Sequence, residues 1–178
     1  MPVVVRRYPE LVSALRSRVG EGWLVAIDGA REAGKSTMAK DLARDLPARL
    51  ISVDDYVQKG EPLGTPYPDL VRVAELRAEV QQSRDQGKIV LLEGICLRSV
   101  LARLEMEATL HVYVMRVSAP GEPCEIDLFD DQISEEVLLD QIGIPTSTGA
   151  SLDRDLAQYH KKNHPHQCAD LIYEREES

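Results

Sequence analysis

Alternating strand-like and helix-like segments predict an α/β fold, in which a five-stranded parallel sheet carries helices on both faces. One observation is that short, continuous apolar runs recur along the chain, as expected for strands buried on both sides. The other is that segments with a helical apolar period separate these runs. The 178 residues are enough for a single domain, 1–178, with its own core. We therefore expect three layers.

Five segments have the apolar character and the length of buried strands. They are WLVAID at 23–28, RLISVD at 49–54, KIVLLEGI at 88–95, TLHVYVM at 109–115 and ADLIY at 169–173. Five further segments have the apolar period of amphipathic helices, at 8–19, 35–46, 69–87, 97–104 and 152–163. Pro47 ends the second helix and Gly87 caps the third, while Ser151 caps the fifth and Pro165 closes it.

The composition argues against several classes of protein. A net charge of -9 argues against general nucleic-acid binding through a basic surface. The three cysteines form no CxxC pair, which argues against a zinc site and a disulfide framework. No apolar run approaches the ~20 residues of a membrane span, and no leader pattern precedes the first element. We expect a cytoplasmic protein without a nucleic-acid or membrane partner, and the oligomeric state does not follow from the sequence.

The segment 29–36 matches GxxxxGK[ST] between a predicted strand and a predicted helix, which is the context this phosphate-binding motif requires. It reads Gly29, Ala30, Arg31, Glu32, Ala33, Gly34, Lys35 and Ser36, followed by Thr37. Glycines let the backbone turn tightly, so that amide groups face phosphate oxygens at the start of the helix. We expect Lys35, exposed there, to reach the β- and γ-phosphates and Ser36 to hold Mg²⁺. The motif predicts binding of a nucleoside triphosphate.

Carboxylates stand at the carboxyl ends of three predicted strands. They are Asp28, the pair Asp54 and Asp55, and Glu93, and Arg116 follows the fourth strand. In a parallel sheet these ends lie along one edge, where ligands bind. We therefore predict that the active site lies at this edge.

Segments between residues 24 and 173 resemble the uridine kinase and phosphoribulokinase-like small-molecule kinases. VAIDGAREAGKST is similar to the family's IDGxxGxGKST, LISVDDYV to ISxDDFY, and IVLLEGI to VIVEGI. RDLAQYHKKNHPHQCADLIY is similar to RDxxxxxxQYxxxxxPxxxxxADxII, and PYPD at 66–69 is faintly similar to HPDA. The resemblance implies a P-loop NTPase fold and transfer of the γ-phosphoryl group of ATP to a hydroxyl of a small molecule, with a nucleoside-like acceptor favoured.

The resemblance also implies roles for the carboxylates. The first Asp of the family's DDFY motif faces the acceptor hydroxyl and corresponds to Asp54, whose carboxylate can accept the hydroxyl proton. Asp55 is interpreted as a Mg²⁺-side or loop-capping carboxylate. Glu93 has two interpretations: a water-mediated contact to Mg²⁺, which we favour, or a hydrogen bond that tethers the acceptor loop.

The chain departs from the family where the family has an arginine-rich lid. Residues 117–153 contain no Lys or Arg and nine acidic residues, so 117–150 is interpreted as an acidic, lid-like region. Such a segment would repel phosphates instead of stabilising the transferred charge. We therefore expect the positive charge to come from Arg116 and Arg154, with Arg31 as a third candidate.

A second departure lies on the acceptor side. The β-hairpin that shapes the nucleoside pocket of larger relatives is missing, because Gly87 leads directly into the strand KIVLLEG. The acceptor pocket is then built from fewer parts, which we predict to be Tyr56, Tyr67, Asp69, Arg72 and Arg98.

Two other functions stay open. Another P-loop class, such as a nucleotide or sulfonucleotide kinase, would need a basic pocket for its anionic acceptor, and the acidic stretch counts against it. A nucleotide-binding regulatory module with little or no transfer activity is the other, since an arginine-free lid allows it.

Overall fold

A computed structural model of the chain describes residues 1–59, 64–118, 121–124 and 152–176. The strands of these residues are β1 (Val3–Val5), β2 (Leu24–Gly29), β3 (Ala48–Ser52), β4 (Ile89–Glu93), β5 (Leu110–Val117) and β6 (Leu171–Glu176). The helices are α1 (Tyr8–Arg16), α2 (Lys35–Asp45), α3 (Val73–Asp85), α4 (Leu97–Arg103) and α5 (Leu152–Asn163). The strands form one sheet in the order β1-β6-β5-β2-β4-β3, and all neighbours are parallel.

The prediction of a parallel sheet is confirmed, but the prediction of five strands is wrong, because the described residues form six. The additional strand, β1, pairs with β6, where Val3 lies opposite Leu171 and Val5 opposite Tyr173. Three apolar residues in a row do not distinguish a strand from any other short apolar run. Its pairing partner lies at the far end of the sequence, so no local pattern indicates it.

The two largest hydrophobic clusters of the described residues cover the two faces of the sheet. On β2, Leu24 and Ala26 face the core formed with α3, α4 and α5. Val25 and Ile27 face the other core, formed with α1 and α2. Every residue of β2 is buried because both of its faces are covered, which explains the continuous apolar run in its sequence.

Most helix bounds lie close to the predicted ones, and α3 differs most. Residues Tyr67–Leu70 form a 3₁₀ turn and Val71 bridges Val57, so α3 begins at Val73 instead of residue 69. The predicted cap Ser151 lies outside the described residues, as does most of the acidic region 117–150. None of the helices in the described part of the chain has the length and apolar character that crossing a bilayer requires.

Candidate active site at the carboxyl edge of the sheet

The predicted phosphate loop leaves the sheet at Gly29, the last residue of β2. The φ angle of Gly29 is +153°, and a Cβ placed there would lie 2.4 Å from the carbonyl oxygen of Val114 on β5. Any side chain would therefore collide with the backbone of β5, so glycine is required for this close approach.

The loop enters α2 at Gly34, which has a left-handed φ of +86°. Since Gly34 has no side chain to cap the helix, the amides of the first turn remain as donors for an anion. Glu32 also has a positive φ, of 59°. Residues with left-handed and right-handed backbone angles in succession form a concave backbone whose amides can bind an anion. Ala30 and Ala33 are buried, whereas Arg31, Glu32 and Thr37 are exposed.

Lys35 is buried, with an exposed fraction of 7%, so the expectation of an exposed lysine is wrong. Its side chain folds back over the loop, and Nζ donates to the Ala30 carbonyl oxygen at 2.5 Å. Burial lowers the pKa of Lys35, while the charges of Asp28, Glu93 and Asp54 oppose that shift. The ammonium group therefore lies within electrostatic reach of three carboxylates at the strand ends.

Glu93 joins three elements of the site. The Ser36 hydroxyl on α2 donates to Glu93 Oε2 at 3.1 Å, and the Ser52 hydroxyl donates to Oε1 at 2.5 Å. Ser52 lies opposite Glu93 in the register of β3 and β4, so the sheet itself sets this contact. A hydroxyl and a carboxylate in contact offer the oxygen ligands that Mg²⁺ prefers.

Asp28, directly before the loop on β2, is buried. Its Oδ1 accepts from the Gly29 amide at 2.8 Å, and its Oδ2 accepts from the hydroxyl of Tyr159 on α5. Burial raises the pKa of Asp28 to about 6, although both hydrogen bonds and the Lys35 charge work in the opposite direction. The Tyr159 hydroxyl also accepts from the Arg98 amide at 3.3 Å, so this contact joins the loop, α4 and α5.

Asp54 lies in a 3₁₀ turn directly after β3, and its carboxylate contacts Tyr67. The Tyr67 hydroxyl donates to Asp54 Oδ1 at 2.8 Å. Tyr67 itself is buried, and its amide donates to Asp155 Oδ2 on α5 at 2.7 Å. Two residues predicted on the acceptor side are thus brought together, and their turn is attached to α5.

Three other residues predicted for acceptor or metal binding make their contacts with each other or with α3, and not with the Asp54–Tyr67 pair. Tyr56 donates to Glu79 on α3, and the Arg72 guanidinium lies 5.8 Å from the Tyr56 ring centroid. Arg72 also donates to the carbonyl oxygen of Asp55, whose side chain is exposed. Tyr56, Arg72 and the Asp55 backbone therefore form a cluster on the α3 side.

Asp69 and Arg98 are engaged elsewhere in the fold. Asp69 pairs with Arg103 at the end of α4. Arg98 donates to the Cys168 carbonyl oxygen at 2.5 Å, and its side chain borders His111 at the start of β5. The start of β5 is the amino edge of the sheet, so the side-chain contacts of Arg98 lie away from Asp54. The predicted substrate roles of Asp69 and Arg98 stay predictions.

The predicted arginines lie in the loop, on β5 and on α5. Arg31 pairs with Asp153 on α5 at 2.9 Å. Arg116 lies opposite Arg175 in the register of β5 and β6, and Arg154 belongs to the first turn of α5. The Arg175 guanidinium packs directly on the loop, since a Cβ on Gly34 would lie 2.1 Å from its Nη1.

Sequence analysis missed several of these residues. Arg175 and Tyr159 are distant from the loop in the sequence and come close to it only in the folded chain. Asp28 was predicted to lie at the carboxyl edge of the sheet, but no role was assigned to it. Ser52 did carry a signal, because a serine that ends a strand next to the DD pair stands at the predicted ligand edge. A surface cavity of about 250 Å³ next to Tyr67 is lined by Pro66, Pro68, Ser99, Gln158 and Lys162 among others. None of these cavity residues was predicted.

Comparisons with known proteins bear on the fold alone. No family model matches the sequence, and no curated protein matches it. The structure is similar to that of a possible uridine kinase from Bacillus stearothermophilus, with a TM-score of 0.57 and 12% identity over 93% of this chain and 96% of that one. It is also similar to a candidate fructose transport system kinase from Silicibacter sp. TM1040, with a TM-score of 0.51 and 16% identity over 95% of this chain and 100% of that one. The chain has the fold of the P-loop kinases.

Proposed function

We propose that the chain transfers the γ-phosphoryl group of ATP to a hydroxyl group of a small molecule. The observation that carries this proposal is the convergence of Lys35, Glu93 and Asp54 at one edge of the sheet. The carboxylates of Glu93 and Asp54 lie close enough for their charges to act on Lys35. A phosphate-binding cation, a metal-binding carboxylate and a proton acceptor are the parts that phosphoryl transfer requires.

The nucleotide side is formed by the loop 29–36. The uncapped amides after Gly34 and the ammonium group of Lys35 bind the phosphates in this proposal, and the hydrogen bond of Lys35 to Ala30 is exchanged for phosphate oxygens. Arg175 lies against the same loop and supplies positive charge that the acidic region does not.

Ser36 and Glu93 are the residues that would hold Mg²⁺. Their contact at 3.1 Å fits an oxygen-only site, and Ser52 orients Glu93 from the opposite side. When bound, Mg²⁺ neutralises phosphate charge that develops during transfer. Asp55, with its exposed side chain, is kept as a second candidate ligand.

The acceptor side is formed by the Asp54 turn and the Tyr67 turn. Asp54 accepts the proton of the acceptor hydroxyl, which orients that oxygen toward the phosphorus. The lining of the neighbouring cavity includes the polar side chains of Gln158 and Lys162, which can form hydrogen bonds with the hydroxyl groups of an acceptor. A nucleoside or a sugar is therefore the acceptor class to test first, and both structural relatives carry names that fit such substrates.

The substitution Asp54→Asn tests the proposal, with Asp55→Asn as the matched control. Asparagine keeps the acceptor oxygen for Tyr67 but removes the charge that takes the proton. ATP affinity, measured by calorimetry, should stay within about twofold, while the rate of transfer should fall by roughly 10² to 10⁴, as for loss of a general base.

The control variant should lose less activity, because Arg72 holds the backbone of Asp55 on the α3 side, whereas the carboxylate of Asp54 contacts Tyr67. Full activity in Asp54→Asn would exclude Asp54 as the base. Reversal of the two effects would identify Asp55 instead. ATP binding without transfer to any acceptor would favour a nucleotide-binding regulatory module.

A further inference from the structure

Tyr67 contacts the proposed base directly. Its hydroxyl donates to Asp54 Oδ1 at 2.8 Å, and the tyrosine has an exposed fraction of only 5%. A buried phenol rarely changes rotamer in a packed core, so the donor stays where the carboxylate needs it.

The backbone of Tyr67 is fixed from both sides. Pro66 and Pro68 flank it, and each proline ring locks its own φ angle. The Tyr67 amide donates to Asp155 Oδ2 on α5 at 2.7 Å, a charge-assisted bond of the stronger kind. The position of the phenol therefore follows the position of α5.

Backbone hydrogen bonds also join the Asp54 turn to the Tyr67 turn. The Gln58 amide donates to the Leu70 carbonyl oxygen at 2.8 Å, and the Arg72 amide donates to the Tyr56 carbonyl oxygen at 2.9 Å. The two turns thus form one unit, in which the tyrosine side chain is the link to the carboxylate.

We propose that Tyr67 is a positioning residue for phosphoryl transfer, which fixes the orientation of the Asp54 carboxylate and connects it through Asp155 to α5. This inference rests on the proposed function. Since Tyr67 occupies Oδ1, the other carboxylate oxygen is left to receive the acceptor proton.

The step balances without a further reactant. The acceptor oxygen forms a bond to the γ-phosphorus, the bond from that phosphorus to the bridging oxygen of ATP breaks, and the hydroxyl proton moves to Asp54. Tyr67 keeps its own proton, because burial and the Asp54 charge raise its pKa. Its contribution is orientation.

The test compares Tyr67→Phe with Tyr8→Phe, a matched control in which a tyrosine hydroxyl donates to Asp45 at 2.7 Å away from the site. ATP is supplied with uridine, cytidine, ribose or fructose, and the acceptor with the highest wild-type rate is used. Tyr67→Phe should lower kcat about tenfold, as for loss of one charge-assisted hydrogen bond, with KM for ATP within about twofold. Tyr8→Phe should leave both constants unchanged.

A double variant separates positioning from a general structural effect. In the Asp54→Asn background, Tyr67→Phe should lower kcat by less than about threefold, because the group that it positions has lost its function. In the otherwise wild-type chain, Asp155→Ala should lower kcat about as much as Tyr67→Phe does. Asp155→Asn should keep most of the wild-type kcat, because its amide oxygen still accepts a hydrogen bond from the Tyr67 amide. Unchanged kcat in Tyr67→Phe, or a full tenfold loss in the Asp54→Asn background, would overturn the inference.

Unfolding measurements distinguish failure of the inference from failure of the proposed function. If the wild-type chain transfers phosphate to none of the four acceptors, the proposed function fails, and the positioning role fails with it. The Tyr67–Asp54 contact is then judged alone by urea unfolding. Non-additive effects of Tyr67→Phe and Asp54→Asn, by about fivefold or more in the unfolding constant, support the contact, and additive effects exclude it.

Discussion

Removal of the Tyr159 hydroxyl should destabilise the protein in a pH-dependent way. In Tyr159→Phe, the buried Oδ2 of Asp28 loses its donor, while the aromatic ring still fills the core. A hydrogen bond to a buried charged group contributes roughly 1.5–3 kcal/mol, so we expect a loss of about 2 kcal/mol at pH 8. At pH 5 the expected loss is about 1 kcal/mol, the value for a bond between neutral groups.

The sign of the pH effect follows from the pKa of Asp28. Burial raises it from 3.8 to about 6 in the folded state, so the folded protein binds this proton more readily than the unfolded chain. The contribution of Asp28 to stability is fully present below about pH 4 and is lost as pH rises through about 6. A shift of roughly two pKa units corresponds to about 3 kcal/mol over that range. Loss of the Tyr159 donor raises this pKa further and enlarges the penalty at pH 8.

Urea unfolding at pH 5 and pH 8 measures both quantities, and the difference between variant and wild type cancels the titration of other groups. Tyr8→Phe is the control: it removes a similar bond to Asp45, which is exposed, and should cost under about 1 kcal/mol at both pH values. An equal loss in Tyr159→Phe at pH 5 and pH 8 would refute the assignment of Asp28 as a buried, titrating carboxylate.

Three further substitutions test the loop. Lys35→Ala should weaken ATP binding at least about tenfold by calorimetry, because the ammonium group near the phosphates is lost; affinity near wild type in a folded variant would exclude the loop as a phosphate site. Ser36→Ala should shift the Mg²⁺ titration of activity to higher concentration with a smaller loss of ATP affinity, and an unchanged titration would remove Ser36 from the metal site. Gly34→Ala forces a left-handed φ on alanine and displaces the Arg175 side chain. It should lower the free energy of unfolding in urea by about 1 kcal/mol and weaken ATP binding. If neither changes, the close approach of Arg175 to the loop is not needed.

Local patterns correctly predicted the strand and the helix that flank the candidate phosphate loop. The run that ends at Gly29 and the helix that starts at Lys35 are adjacent in the chain, so their arrangement depends on residues within a short window. Parallel strands also place their carboxyl ends along one edge, which brought Asp28, Asp54 and Glu93 together as expected.

Contacts between distant segments were not predictable in the same way. Asp28 and Tyr159 are 131 positions apart, so no pattern within a short window indicates their hydrogen bond. Burial of Lys35 depends on how its side chain folds over the loop, which helix periodicity does not report. The strand β1 is defined by its pairing with β6 and not by its own three residues.

The central claim is tested most directly by ³¹P NMR of the purified wild-type chain with ATP, Mg²⁺ and one hydroxyl compound at a time, including uridine, cytidine, ribose and fructose. The account predicts that ADP and a new phosphomonoester appear in equal amounts, and only when an acceptor is present. It also predicts that Asp54→Asn suppresses both products while ATP still binds. Tight ATP binding with no phosphomonoester from any of these acceptors would contradict the claim that this site transfers phosphate to a small-molecule hydroxyl.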